Sequence, residues 1–143
     1  MATVVFYEKP GCINNSKQKA LLKAAGHQVQ AYNLLTEAWT VENLRLFFGN
    51  RPVDEWFNRT APRVKSGEVV PEEIDAETAL KLMVEDPILI RRPLIQVGER
   101  REMGFDKKLI DGWISLKPAE EADKVMSENL MSQDLQTCPN SHQ

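Results

Sequence analysis

The sequence predicts an α/β fold built on a mixed sheet of about four strands, and three stretches of chain carry that prediction. First, Thr3-Val4-Val5-Phe6-Tyr7 is a β-branched and aromatic run closed by Lys9-Pro10-Gly11, the signature of a buried strand ending in a turn. Second, a helix-forming segment and an alternating apolar-polar segment follow within about 35 residues, which makes a βαβ unit with parallel strands. Third, Leu94-Ile95-Gln96-Val97 and Glu99-Arg100-Arg101-Glu102-Met103 flank Gly98 as a hairpin.

The helix of the βαβ unit is expected from Asn14 to Ala25, where strong helix formers dominate and Gly26 stands as the stop. Cys12 therefore falls at or just before a helix N-terminus. The strand after it, His27 to Leu35, has period two. Thr40 to Gly49 and Pro52 to Arg59 read as two short amphipathic helices, and a polar loop surrounds Lys65-Ser66-Gly67-Glu68. Asp75 to Asp86 is a third helix, with Ala79, Leu80, Leu82 and Met83 as its buried stripe. Pro93 begins the Leu94 strand, a position where proline interrupts no ladder. Asp106 caps a last helix, Lys107 to Leu116.

One domain over residues 1–116, with a helical insertion at about 40–86, accounts for most of the 143 residues. Residues 117–143 contain two basic and five acidic side chains, so this acidic tail carries the whole formal charge of −3 and is expected to be flexible, with a weak helix near Ala119 to Leu130. A near-neutral domain with an acidic tail lacks the electrostatic footprint of a nucleic-acid binder. No stretch reaches the roughly 18 apolar residues of a membrane span, and the first residues do not read as an export signal. Cys12 and Cys138, the two cysteines, are too few for a disulfide-stapled scaffold, which points to a reducing cytoplasm. His27 and His142 belong to no ligand-spaced cluster, so no metal is expected.

Cys12 is the first candidate for chemistry. A thiol at a helix start faces unpaired N–H groups and the positive end of the helix dipole, which favour the reactive thiolate. Lys9 would act in the same direction, and an approaching Glu8 would oppose it. The position of a second cysteine in a C-x-x-C motif is occupied by Asn15, so resolution across one helical turn is ruled out. An oxidised Cys12 must be resolved by a small thiol such as glutathione, by another protein, or by Cys138 if the tail folds back. The structural alternative is an inert cysteine in a turn, and for Cys138 an incidental exposed one. Arg91, Arg92 and Arg59 are the second candidates, because guanidinium forks suit an oxyanion near a helix N-terminus.

Tyr7-Glu8-Lys9-Pro10-Gly11-Cys12 followed by a helix, and Asp86-Pro87-Ile88-Leu89-Ile90-Arg91-Arg92-Pro93-Leu94, resemble the two signatures of the glutaredoxin-linked arsenate reductases and the Spx regulators. The resemblance spans about residues 3–116. It implies a thioredoxin-like fold with a helical insertion, a cis Pro93 facing Cys12, Cys12 as nucleophile and Arg92 as oxyanion-binding arginine. Arg59 resembles a second arginine of that site, and Asn15 and Ser16, following Cys12, would complete the oxyanion pocket. The pattern departs at Glu8, where these reductases usually have histidine, and at Met103-Gly104-Phe105, where they have a third arginine. Gly104-Phe105 is similar to the Spx branch, while Trp56-Phe57-Asn58-Arg59 and the opening motif resemble the nitrogenase-associated subgroup.

What the resemblance implies is a monothiol redox protein without a bound cofactor, turned over by glutathione or a glutaredoxin, in the setting of nitrogen fixation. The competing expectation is a non-catalytic interaction module that binds a protein partner, such as a nitrogen-fixation component.

Overall fold

A computed structural model describes residues 2–135 of the chain. Four strands, β1 (Thr3–Glu8), β2 (Gln28–Asn33), β3 (Leu94–Val97) and β4 (Arg100–Met103), form one sheet in the order β2-β1-β3-β4. β1 and β2 are parallel, with Thr3 opposite Gln28 and Glu8 opposite Asn33. β3 runs antiparallel to β1, with Tyr7 opposite Leu94, and β4 antiparallel to β3. This is the mixed four-stranded sheet expected from the sequence. The hairpin turn is Gly98-Glu99, with Gly98 at φ 60°, a conformation open to glycine at no steric cost.

The crossover between β1 and β2 is α1 (Ile13–Ala24), which starts one residue earlier than expected because Cys12, with φ −73° and ψ 119°, is its N-cap. Leu21 and Leu22 of α1 pack with Val4, Phe6 and Ile95 on one face of the sheet. The helix α5 (Lys107–Ile114) joins them, its first turn capped by Asp106, whose carboxylate accepts from the N–H groups of Lys108 and Leu109.

The other face is covered by the insertion, whose elements are shorter than periodicity suggested. Only α2 (Val41–Arg45) is α-helical in the first segment, capped by Thr40, and Pro52–Arg59 forms a single 3₁₀ turn over Val53–Trp56. Phe57 leaves that turn in extended conformation to bridge Ile90, so tertiary pairing ends the helix. The polar loop contains α3 (Pro62–Lys65) and a 3₁₀ turn at Pro71–Glu73. The helix α4 (Ala76–Glu85) matches the expected segment, with Asp75 as cap and Ala79, Leu80 and Met83 buried. Phe47, Phe48, Trp56, Phe57, Leu89 and Ile90 pack with these residues into a second core against Leu94 and Met103.

The described part of the tail, residues 117–135, packs against the domain. A helix α6 (Lys124–Met131) lies on the α1 side, and Leu130 and Leu135 enter the first core. A local composition of five acids hides this docking, because two buried leucines spaced five apart are enough to anchor the segment.

Candidate active site around Cys12

The site begins with a turn. After β1 the chain passes through Lys9-Pro10-Gly11-Cys12, where proline precedes Gly11 at φ 85°, the arrangement of a type II turn. The Cys12 N–H donates to the Lys9 carbonyl at 3.1 Å and closes it. Cys12 is only 1% exposed and is the N-cap of α1, at the end toward which the first-turn N–H groups of a helix point.

Asn15, buried at 1% exposure, holds this turn from the helix side. Its Oδ1 accepts from the Lys9 N–H at 3.1 Å, and its Nδ2 donates to Gln18 Oε1 at 2.9 Å. The side chain is thus committed to positioning the turn. Ser16 is exposed, and its N–H donates to the Cys12 carbonyl at 3.1 Å.

Arg92 comes to the same place from β3. The Arg92-Pro93 bond is cis. Since Tyr7 is opposite Leu94, continuing the antiparallel register brings Arg92 across from Lys9. The two cations feel each other: burial, then the charge of Arg92, lowers the Lys9 pKa. Burial alone pushes the Arg92 guanidinium down to about 10. Arg92 is 3% exposed, and its Nε, Nη1 and Nη2 are all buried without a hydrogen-bond partner. Five donors of a buried cation are an unfilled demand for an anion.

The insertion braces this arginine. The Arg91 N–H donates to the Trp56 carbonyl at 2.9 Å, the Asn58 N–H to the Leu89 carbonyl at 2.8 Å, and Asn58 Nδ2 to the Ile88 carbonyl at 3.0 Å. On the other side the Gly104 N–H donates to the Pro93 carbonyl at 2.8 Å. Gly104, at φ 81°, faces the Arg91 guanidinium, whose Nε would lie 3.3 Å from a Cβ there. A side chain at 104 therefore competes with Arg91 for one space.

Two of the sequence expectations are redirected by ion pairs. Glu8 does not bear on the site as an unpaired acid, because Lys19 of α1 meets it at 2.8 Å. Arg59 lies on the exposed side of the insertion, 2.7 Å from Glu72 and 4.0 Å from Asp54, where two carboxylates already occupy its fork. The structure does not gather it with Lys9 and Arg92. Cys138 lies outside the described residues. Nothing in the local sequence marks Lys19 and Asn58, whose partners Glu8 and Ile88 lie 11 and 30 positions away, or Gln18, which meets Asn15 within one helical turn and Leu135 at 117 positions. Among the described residues no helix is long and apolar enough to cross a membrane.

Comparison with known proteins agrees with this fold. An uncharacterized 15.7 kDa protein in the draG 3′ region of Rhodospirillum rubrum is 48% identical over 139 residues, covering 97% of this chain and 90% of that protein. The regulatory protein MgsR of Bacillus subtilis is 28% identical over 105 residues, 72% of this chain and 83% of its own. The arsenate reductase structure from Vibrio cholerae superposes with a TM-score of 0.64 at 22% identity, covering 76% of this chain and 95% of that one, and shows the thioredoxin-like fold to be shared. The model of the ArsC family matches residues 7–112, a span that includes Cys12, the insertion and Arg92, and the chain belongs to the ArsC family.

Proposed function

We propose that the protein is a thiol-dependent reductase of the arsenate-reductase type, in which Cys12 attacks an oxyanionic or oxidised substrate held by Arg92. The observation that carries this reading is the Arg92 guanidinium, buried with all three nitrogens unpartnered beside Lys9 and the Cys12 turn. A charge in that state is destabilising by several kcal/mol unless an anion joins it. A bound oxyanion compensates the charge and is presented to the helix start that carries the thiol.

The Cys12 thiolate donates its electron pair to the electrophilic atom, and an oxygen leaves as water after taking up protons. Two thiols in total surrender two electrons, and glutathione, alone or through a glutaredoxin, supplies the second thiol. The N–H groups that follow Cys12 carry the developing negative charge, whereas Asn15 acts through the turn it holds. A cytoplasmic protein fits this reductant. The relative named for the draG 3′ region supports a setting in nitrogen fixation.

The test is turnover of arsenate with glutathione and glutaredoxin, followed by NADPH oxidation through glutathione reductase. Activity that is abolished in Cys12→Ser and falls at least tenfold in Arg92→Lys is expected. Absence of turnover, together with failure of Cys12 to take up glutathione, would overturn the catalytic reading. The second reading, a regulatory module that binds a protein, would then hold. It is favoured by the likeness to MgsR and by Gly104, which leaves no arginine opposite Pro93.

A further inference from the structure

The outer edge of β2 is bare. The strand stands first in the sheet order and pairs with β1, and among the described residues no strand lies on its far side. The parallel ladder fixes which of its backbone groups face out. The Gln28 N–H donates to the Ala2 carbonyl at 2.9 Å and the Leu34 N–H to the Glu8 carbonyl at 2.8 Å, so the even-numbered residues turn toward β1. Val29, Ala31 and Asn33 therefore turn their N–H and C=O groups outward. The Asn33 carbonyl is already taken by the Thr36 N–H at 3.2 Å. Val29 and Ala31 are left offering two donors and two acceptors to a further strand.

Nothing in β2 guards this edge. Edge strands are commonly protected from pairing by charged side chains, proline or a bulge. Gln28-Val29-Gln30-Ala31-Tyr32-Asn33 has no charge and no proline, and its register with β1 is unbroken. Gln28, Gln30, Ala31 and Tyr32 are exposed, Tyr32 at 46%. The opposite edge of the same sheet is protected, since β4 carries Arg100, Arg101 and Glu102 within four residues.

We propose that β2 is the contact between two copies of this chain, which join edge to edge with their β2 strands antiparallel about a twofold axis perpendicular to the sheet. The outward groups set the register. Val29 of each copy faces Ala31 of the other, which uses both donors and both acceptors of each strand in four hydrogen bonds. A register centred on Ala31 instead would need the Asn33 carbonyl that Thr36 already occupies. Gln30 then meets Gln30 of the second copy on the axis, amide against amide, and Gln28 lies opposite Tyr32. Self-pairing of a charged strand sets like charges against each other, and this strand sets none. A partner of different sequence would find no charge on β2 to read. Six residues a side make a small interface of the weak, reversible class. Antiparallel pairing puts the two Cys12 turns, which follow the C-terminal ends of the β1 strands, at opposite ends of the joined sheet. The inference is independent of the chemistry of Cys12.

The experiment is sedimentation equilibrium of the reduced full-length protein from about 10 µM to about 1 mM, the range of weak interfaces. The average mass is expected to rise from 16.3 kDa toward twice that value. Gln30→Lys sets two ammonium groups face to face on the axis and alters only an exposed side chain. It is expected to move association to concentrations about fivefold higher. Ala31→Pro removes an outward N–H while leaving the ladder to β1 intact, and is expected to abolish association; Gln30→Lys decides the case should that chain fail to fold. The register is read by cross-linking in a Cys12→Ser, Cys138→Ser background. Gln30→Cys, treated with diamide, is expected to form a disulfide between copies at least tenfold faster than Gln28→Cys. Opposed residues at the axis approach to about 4.5 Å between Cα atoms, whereas the two copies of position 28 lie about 14 Å apart along the strands. A mass of 16.3 kDa throughout overturns the inference and leaves the edge to an extended segment of another protein. A dimer that Gln30→Lys leaves as strong as before, or that cross-links equally at positions 28 and 30, overturns it too.

Discussion

Lys19 Nζ lies 2.8 Å from Glu8 Oε2, joining the last residue of β1 to the second turn of α1 across the Cys12 turn. Both side chains are largely shielded, at 22% and 14% exposure, so the pair is stronger than an open surface bridge but remains in contact with solvent. Its consequence for Cys12 is a carboxylate whose charge is already answered.

Removal of either partner therefore shifts Cys12 reactivity in opposite directions. Lys19→Ala leaves Glu8 unanswered and disfavours thiolate, while Glu8→Gln leaves Lys19 as an extra cation and favours it. With a pair worth about 0.2–1 kcal/mol, alkylation at neutral pH should slow about 1.5- to 5-fold in Lys19→Ala and quicken by a similar factor in Glu8→Gln. Stopped-flow alkylation in a Cys138→Ser background measures both; equal rates in all three chains would show that Glu8 does not reach the sulfur's field.

Arg92→Met is expected to stabilise the anion-free protein. A well-packed apolar side chain in place of a buried, unpartnered charge gains about 1–4 kcal/mol. The same change should erase the stabilisation that sulfate gives to the natural chain through binding only the folded state. Urea unfolding with and without sulfate checks both effects, and a less stable Arg92→Met chain at zero sulfate contradicts the orphaned-cation account.

The pH dependence of that difference has a definite sign. Burial holds the Arg92 pKa down at about 10 in the folded chain, below that of the unperturbed group. Between those values the unfolded state binds more protons at this site, so stability rises with pH there. The penalty is complete below about 10 and is relieved above it. The advantage of Arg92→Met should accordingly be constant at neutral pH and shrink as pH climbs from 10 toward 12, measured as the difference between two denaturation curves at each pH.

Asn58→Ala removes three side-chain hydrogen bonds, one to the Ile88 carbonyl at 3.0 Å and two accepted from Thr60, at a residue 7% exposed. A loss of about 1–3 kcal/mol is expected from the buried carbonyl left without its partner. Because Ile88 leads into Arg92, sulfate affinity should weaken together with stability. Calorimetric titration at a temperature where the variant remains folded separates the two, and unchanged affinity would detach the brace from the site.

Gly104→Ala places a Cβ at φ 81° and 3.3 Å from the Arg91 Nε. The left-handed backbone alone disfavours alanine by about 1–2 kcal/mol. A drop of that size in unfolding free energy is expected, and a stability equal to that of the natural chain would mean that the β4–α5 connection relaxes freely.

The elements that sequence made legible are those whose cause is local. β1 follows from a β-branched run before Pro10-Gly11, α5 from the Asp106 cap, and the hairpin from Gly98 between two alternating segments. Amphipathic spacing predicts longer helices in the insertion than form, because it says nothing about Phe57 pairing with Ile90, 33 positions away. The Cys12 turn and the Arg92-Pro93 motif were legible as patterns, yet arginine as a residue type favours the surface, so nothing local marks Arg92 as buried.

What sequence alone determined is the chemistry available: a thiol at a helix start, a βαβ unit that places it, and an arginine before Pro93. Tertiary structure decided which charges act. It joined Glu8 to Lys19 and Arg59 to Glu72, left Arg92 buried and unpartnered, and brought Leu135 to Gln18 across 117 positions of chain. Charge interactions depend on separation and burial, which the order of residues along a chain does not specify until the sheet and its two cores have formed.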